Sequence, residues 1–178
     1  MAAGPAPLHR QPGSQILLWP ANAPPGPPGT GAGIPPYQPP GLSPEYRGAD
    51  CTFWALYNGE PEKVGCTLHW IDTGIDTGGL IAHISPKIEP DDDELRLFWR
   101  SVQTSAGVYA EFLARTAAGE HFGQTQPHKG RLYQVKQRGL RHERLVDQRL
   151  KDGLLRNLHL DTRVTWFPAA AAANRREG

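Results

Sequence analysis

The chain has 178 residues, 38% of them hydrophobic, a net charge of +1 and two cysteines. That length carries one domain of ordinary size, the near-neutral balance excludes a whole-chain field for nucleic acid or membrane, and two cysteines exclude a disulfide scaffold. No early apolar run resembles a secretory signal and no segment approaches a membrane span, so a cytoplasmic, reducing compartment is expected.

The first stretch is compositionally biased. Residues 1–44 hold 13 of the 18 prolines, and such a segment has too few apolar side chains to offset the entropy of ordering it. Residues 1–40 therefore read as a disordered Pro/Gly-rich segment. The apolar spacing of Phe53, Leu56 and Tyr57, ending at Asn58-Gly59, predicts a short helix with a glycine C-cap. Residues 63–71 are rich in β-formers and predict a strand. Residues 79–88, with Leu80, Ala82, Ile84 and Pro86 alternating, predict a second strand returning from the loop between them. From Asp91 onward an acidic N-cap region precedes Leu95, Phe98, Trp99, Val102, Ala106, Tyr109 and Leu113 at i, i+3, i+4 spacing, which predicts an amphipathic helix of about six turns buried on that face. Residues 140–155 give a more polar helix, broken at Gly153, and the closing alanine-rich tail has nothing to pack against.

Between Lys129 and Arg156 nine Lys and Arg face three acidic residues. This is either a solvated helix face or a surface for an anionic partner.

The loop between the two predicted strands spells Asp-Thr-Gly twice, at Asp72-Thr73-Gly74 and Asp76-Thr77-Gly78. The spelling is that of an aspartic protease, but there two carboxylates from separate lobes share a proton. Here both lie on one short connection, so a hydrolase is a remote reading. No spacing points to a metal site: His69 and His83 lie inside predicted strands, where a lone histidine is usually a structural hydrogen-bond partner. A turn whose Asp and Thr side chains merely bond their own backbone remains open.

The loop from Asp72 to Gly78 is preceded by the turn Leu42-Ser43-Pro44-Glu45-Tyr46-Arg47-Gly48, by Trp54-Ala55 ending in Asn58-Gly59-Glu60 and by Gly65-Cys66-Thr67-Leu68-His69. Taken together, these motifs resemble the second half of the catalytic domain of folate-dependent formyltransferases, the family of the glycinamide ribonucleotide, methionyl-tRNA and sugar-nucleotide enzymes. The resemblance continues more weakly to Lys136 and covers about half the chain. It implies an α/β fold, the C-terminal half of a Rossmann-like domain, over 41–136, with 137–178 as a basic helical extension ending in a flexible tail. It also implies 10-formyltetrahydrofolate as formyl donor and an amine, of unknown identity, as acceptor. Asp76 takes the catalytic position; His69, Asp72, Thr73, Gly74, Thr77 and Gly78 take folate-side positions; Tyr46 and Arg47 take substrate-side positions.

The chain departs from the family upstream of that turn. The family's Asn-x-His-Pro supplies an oxyanion donor and a proton carrier, whereas here Tyr37 and Pro39 hold the Asn and His positions. The sequence reads as interrupted just upstream of residue 41, so transfer by this chain is expected to be impaired. A non-catalytic remnant that binds a partner through the basic region is the alternative.

Overall fold

A computed structural model describes residues 39–169, so the Pro/Gly-rich expectation over 1–38 and the tail from 170 lie outside the described residues. The chain is mixed α/β. In order it forms β1 (Tyr46–Gly48), α1 (Cys51–Asn58), β2 (Cys66–His69), β3 (Leu80–Ser85), α2 (Glu94–Ala117), β4 (Arg131–Tyr133), α3 (Leu140–Lys151) and β5 (Arg163–Trp166). Strand β3 is the middle of an antiparallel sheet, β2-β3-β5, while β1 and β4 pair in parallel. Among the described residues no helix is long and apolar enough to cross a membrane.

The expected elements form, with boundaries set by local chemistry. Helix α1 ends where Gly59 adopts φ 77° and returns its N–H to the carbonyls of Ala55 and Leu56, a conformation that glycine enters without a Cβ penalty. Helix α2 starts where the Asp93 side chain accepts from the Arg96 N–H at 2.7 Å. Pro39 and Pro40, placed by composition in the disordered segment, are instead seated against β2: the Thr67 N–H donates to the Pro39 carbonyl and Pro40 bridges Cys66. The basic segment after 136 supplies β5, and β5 completes the sheet on the far edge of β3, with Ala82 opposite Trp166. Strands β1, β4 and β5 have three or four residues each, too short to leave a readable period in the sequence.

Two hydrophobic clusters hold these layers. One gathers α1, α3 and the β1/β4 pair around Phe53, Trp54, Tyr133, Val146 and Leu155. The other joins β2 and β3 to α2 through Leu68, Ile81, Ile84, Val108 and Phe112. Burial of such side chains is the main stabilising term, roughly 1.5–3 kcal/mol for each large one.

The face of α2 that packs is not the expected one. Its buried residues are Leu97, Ser101, Ser105, Val108, Tyr109 and Phe112, whereas Leu95 is 64% and Trp99 51% exposed. Within the expected stripe Tyr109 is buried and the other members are not. The reason is steric and local. Ser101 and Ser105 donate their hydroxyls to the helix's own carbonyls, of Leu97 and Val102, both at 2.8 Å. Both hydroxyls are thereby satisfied along the helix itself, and both side chains are small enough to let neighbouring elements approach. Counting apolarity alone points to a face about 100° round the helix from the packed one, with Tyr109 common to both.

Two outcomes follow from these packing arrangements. In urea unfolding, Phe112→Ala should cost about 3–5 kcal/mol, while Leu95→Ala should change stability by less than about 0.5 kcal/mol; similar losses would show that the helix packs on the other face. The second concerns His83, whose Nε2 donates to the Ser43 carbonyl at 2.7 Å. Burial lowers its proton affinity below the ordinary imidazole value, against a smaller opposing effect of that hydrogen bond. The unfolded chain then binds the proton more readily, so stability should fall as pH drops through about 6.5 toward the depressed value. Unfolding measured from neutral pH downward should show a shallower loss in His83→Gln; an unchanged slope would exclude His83 as its source.

Candidate active site

The two Asp-Thr-Gly copies have different fates. Asp72 is exposed and closes a turn on itself: its Oδ1 accepts from the Gly74 N–H at 3.0 Å, and the Thr77 hydroxyl donates to both carboxylate oxygens at 2.7 and 2.9 Å. This is a local Asx-type turn. A Cβ at Gly74 would fall 2.0 Å from the Thr77 hydroxyl oxygen, and one at Gly78 would fall 1.6 Å from the Trp70 carbonyl oxygen. Both glycines are required by space. Thr73 is exposed beside them.

Asp76 is buried, at 7% exposure, and it carries φ 52°. That left-handed conformation is uncommon for a residue with a side chain and must be held by its surroundings. Four residues from elsewhere hold it. The Gly48 N–H donates to Asp76 Oδ2 at 2.7 Å, and Gln126 donates its amide to the carbonyls of Asp76 and Gly78 at 2.9 and 2.8 Å. The Arg47 guanidinium bridges the carbonyls of Ile75 and Gly130 at 2.9 and 2.8 Å, and His69 Nε2 stands 3.5 Å from Asp76 Oδ1. The segment on either side of Asp76 is thus clamped from β1, β2 and the connection before β4.

The proton inventory follows from the partners. The Trp70 carbonyl lies 2.7 Å from His69 Nδ1, and a carbonyl can only accept, so Nδ1 carries a hydrogen. Nε2 then faces the Asp76 carboxylate and becomes a donor when a second proton is taken up by the ring. A carboxylate and an imidazole so placed can accept a proton from a reacting group and pass it on. Nearby, burial drives the Cys51 thiol far above its ordinary value, and the charges of Asp76 and Asp50 add to it; burial pushes Cys66 up to about 12. Neither thiol is a nucleophile in this environment.

The substrate-side expectations land elsewhere. Tyr46 is buried, its ring stacked on Tyr133 with centroids 5.6 Å apart, and its hydroxyl donates to Glu60 and accepts from Asn58. Burial raises its proton affinity further. Arg47 acts on the loop backbone, as above. Asp76, His69, Arg47 and the turn of Asp72 are therefore brought together, while the Tyr46 side chain belongs to the α1 cluster. Gln126, in a polar connector without periodicity, left no signal in the sequence. The Gly48 N–H left a partial one, since Gly48 ends the Tyr-Arg-Gly turn and, at φ 90°, a Cβ there would meet the Tyr133 carbonyl oxygen at 2.2 Å. Among the described residues no group of three or more His, Cys, Asp and Glu is placed to hold a metal ion.

The same part of the chain matches known proteins. Residues 39–113 match the family model described as formyl transferase. Over 79 residues the chain is 42% identical to a methionyl-tRNA formyltransferase of Citrifermentans bemidjiense, covering 44% of this chain and 24% of that protein. Over 80 residues it is 39% identical to the trifunctional purine biosynthetic protein adenosine-3 of Drosophila melanogaster, covering 45% of this chain and 6% of that protein. The chain thus spans about a quarter or less of the length of these relatives. Among solved structures, a formyltransferase of Anoxybacillus kamchatkensis, in complex with a UDP-linked formamido sugar and tetrahydrofolate, superimposes with TM-score 0.51 at 27% identity over 56% of this chain and 52% of that one. A sugar N-formyltransferase from a Shewanella species shares the fold, with TM-score 0.51 at 19% identity over 76% and 61%. The chain carries a formyltransferase-family domain over part of its length.

The clamp on the loop has a direct readout. Replacing Gln126 by Ala removes one donor from two buried carbonyls, which should loosen the seat of Asp76 by about 1–3 kcal/mol. Amide exchange at Gly48, whose N–H is bound by the Asp76 carboxylate, should then accelerate ~10-fold or more. The exchange of amides inside α2 should stay as it was. Unchanged protection at Gly48 would show that Gln126 does not hold the loop.

Proposed function

We propose that Asp76 and His69 are the proton-handling groups of a site that transfers a formyl group from 10-formyltetrahydrofolate to an amine. The observation that carries this reading is the buried Asp76 carboxylate, held in a left-handed conformation between the Gly48 N–H and the His69 ring. A solitary structural turn does not require that expenditure of hydrogen bonds, and the exposed turn at Asp72 does without it.

In the reaction the amine nitrogen forms a bond to the formyl carbon, and the bond from that carbon to the folate nitrogen breaks. The amine must lose a proton and the folate nitrogen must gain one. Asp76 and His69 accept the first through the ring Nε2 and the carboxylate, and the same pair returns a proton to the leaving nitrogen. Asp72, Thr73, Gly74, Thr77 and Gly78 form the folate-side wall. Asp72 sets its shape through Thr77, and the two glycines admit the close approach of the Thr77 hydroxyl and the Trp70 carbonyl that folds the wall. The tetrahydrofolate in the Anoxybacillus structure supports a folate donor for the family.

Two positions of the family motif carry other residues in this sequence. Pro39 stands at the histidine position, where its carbonyl is bound by the Thr67 N–H, and Tyr37 stands at the asparagine position. Each such group is worth ~10²-fold or more in rate, so the polypeptide of residues 1–178 transfers formyl groups very slowly at most. A second reading, a binding module without turnover, is favoured by α3. Its Arg141, Arg144 and Lys151 lie on the exposed side opposite buried Val146, and binding of a polyanion through them would weaken steeply with salt.

The test restores the missing groups. A chimera joins an upstream half carrying the Asn and His at Gly41. In it Asp76→Asn should lower kcat by ~10²-fold or more while folate affinity changes little, and Asp72→Asn should weaken folate binding with a smaller effect on kcat. Normal turnover by the Asp76 variant, or greater damage from the Asp72 variant, would overturn the assignment. Robust turnover by residues 1–178 alone would overturn the account of the missing groups.

A further inference from the structure

Among the described residues, Asp50 and Asp76 are the two outside glycine that adopt a left-handed backbone, at φ 54° and 52°. Both adjoin the Gly48 N–H. Asp76 accepts it, and Asp50 lies two residues along the chain, where β1 turns into α1. Asp76 is held by the contacts of the site, whereas Asp50 departs from what its position calls for. An aspartate at the N-cap of a helix is ordinarily extended, and its carboxylate accepts from first-turn amides. Here the N-cap of α1 is left-handed and its side chain makes no capping hydrogen bond.

The Asp50 carboxylate turns instead to Arg138, with Oδ1 3.7 Å from Nη1. The same guanidinium donates to both oxygens of Glu94, at 2.8 and 3.0 Å, and to both of Glu143, at 2.5 and 3.1 Å. It also lies over the Phe53 ring, 3.9 Å from the centroid. Asp50 is the N-cap of α1, Glu94 opens α2, and Glu143 stands in the first turn of α3. One arginine therefore gathers the N-terminal ends of α1, α2 and α3. Each end is positive and carries an acid that offsets it. Without Arg138 the three acids would face one another, and its paired donors fix direction as well as distance.

We propose that Arg138 is a positioning residue of the site: it holds Asp50 in the left-handed turn after Gly48 and so aims the Gly48 N–H at the Asp76 carboxylate. The proposal rests on the reading of Asp76 as a proton-handling group. The Ala49 N–H, bound to the Tyr133 carbonyl at 3.0 Å, ties the end of β1 to β4, which leaves the angle between β1 and α1 to Asp50. Released from Arg138, Asp50 relaxes toward the extended N-cap conformation, swings β1 against α1 and draws the Gly48 N–H off the carboxylate. Arg138 and α3 lie beyond residues 39–113, the part that matches the family model. The docking of this later segment and the seat of Asp76 are thereby one equilibrium.

Amide hydrogen exchange of the full chain, read by NMR at Gly48 and at the α2 amides from Val108 to Phe112, tests this. No formyl donor enters the experiment, so a failed transfer reaction leaves its outcome intact. In Arg138→Gln, exchange at Gly48 should accelerate ~10-fold more than exchange at Val108 to Phe112. Arg138→Lys, which keeps the charge and loses the fork, should give a smaller excess of about 3-fold. Glycine enters the left-handed region without a Cβ penalty, so Asp50→Gly should leave Gly48 protected. Added to Arg138→Gln it should restore most of the lost protection, a rescue that general loosening would not show. Gly48 and α2 accelerating alike, an unchanged Gly48, or no rescue by Asp50→Gly would each overturn the proposal. If Arg138→Gln does not fold, an unchanged Gly48 in Arg138→Lys overturns it equally.

Discussion

One hydrogen bond organises the site, the 2.7 Å contact from the Gly48 N–H to the Asp76 carboxylate. It joins the end of β1 to the loop between β2 and β3, two pieces of chain 28 residues apart, and it does so at a residue whose backbone adopts φ 52°. A left-handed aspartate costs on the order of 1 kcal/mol or more unless its surroundings over-determine it. Here they do. A charge-assisted bond to an amide is roughly twice as strong as a neutral one, and Gln126 and Arg47 fix the carbonyls on both sides of the same residue. The consequence is a carboxylate whose direction is set before any ligand arrives, which is the condition for efficient proton transfer.

That constraint also explains why a doubled Asp-Thr-Gly has two outcomes. Asp72 spends its carboxylate on Gly74 and Thr77, within its own turn. The turn spaces the loop so that Asp76, four residues on, is turned inward. The first copy closes an exposed turn, and the second presents a buried carboxylate. Among the described residues no hydrogen bond joins the two carboxylates, so the geometry offers no shared proton of the aspartic-protease kind.

The fold was legible where one chemical rule operates at a time. Glycine after Asn58, Asp93 before α2, and β-formers on either side of a Gly-rich loop each act through the local backbone, and α1, α2, β2 and β3 formed as expected. The loop was legible because its repeat is short and its glycines are demanded by space. What could not be read depends on distant contacts. The packed face of α2 carries Ser101 and Ser105, which satisfy themselves along the helix and so hide from any count of apolar residues. Strand β5 exists because β3 has an open edge, and Gln126 becomes part of the site because its connector passes the carbonyls of Asp76 and Gly78. None of these is a property of its own stretch of sequence. The position of Pro39 combines both cases: its composition reads as disorder, while its carbonyl meets the Thr67 N–H of a formed strand.

The central claim, that the Asp76 carboxylate is held in place by the Gly48 amide, can be observed as a bond. A through-hydrogen-bond scalar coupling between the Gly48 amide nitrogen and the Asp76 side-chain carboxyl carbon, measured on uniformly labelled protein, reports it without any substitution. The account predicts a resolved cross-peak joining those two nuclei. A Gly48 amide that exchanges freely with solvent and shows no such coupling would mean that Asp76 is not preorganised, and the assignment of the second Asp-Thr-Gly as the chemical one would lose its physical basis.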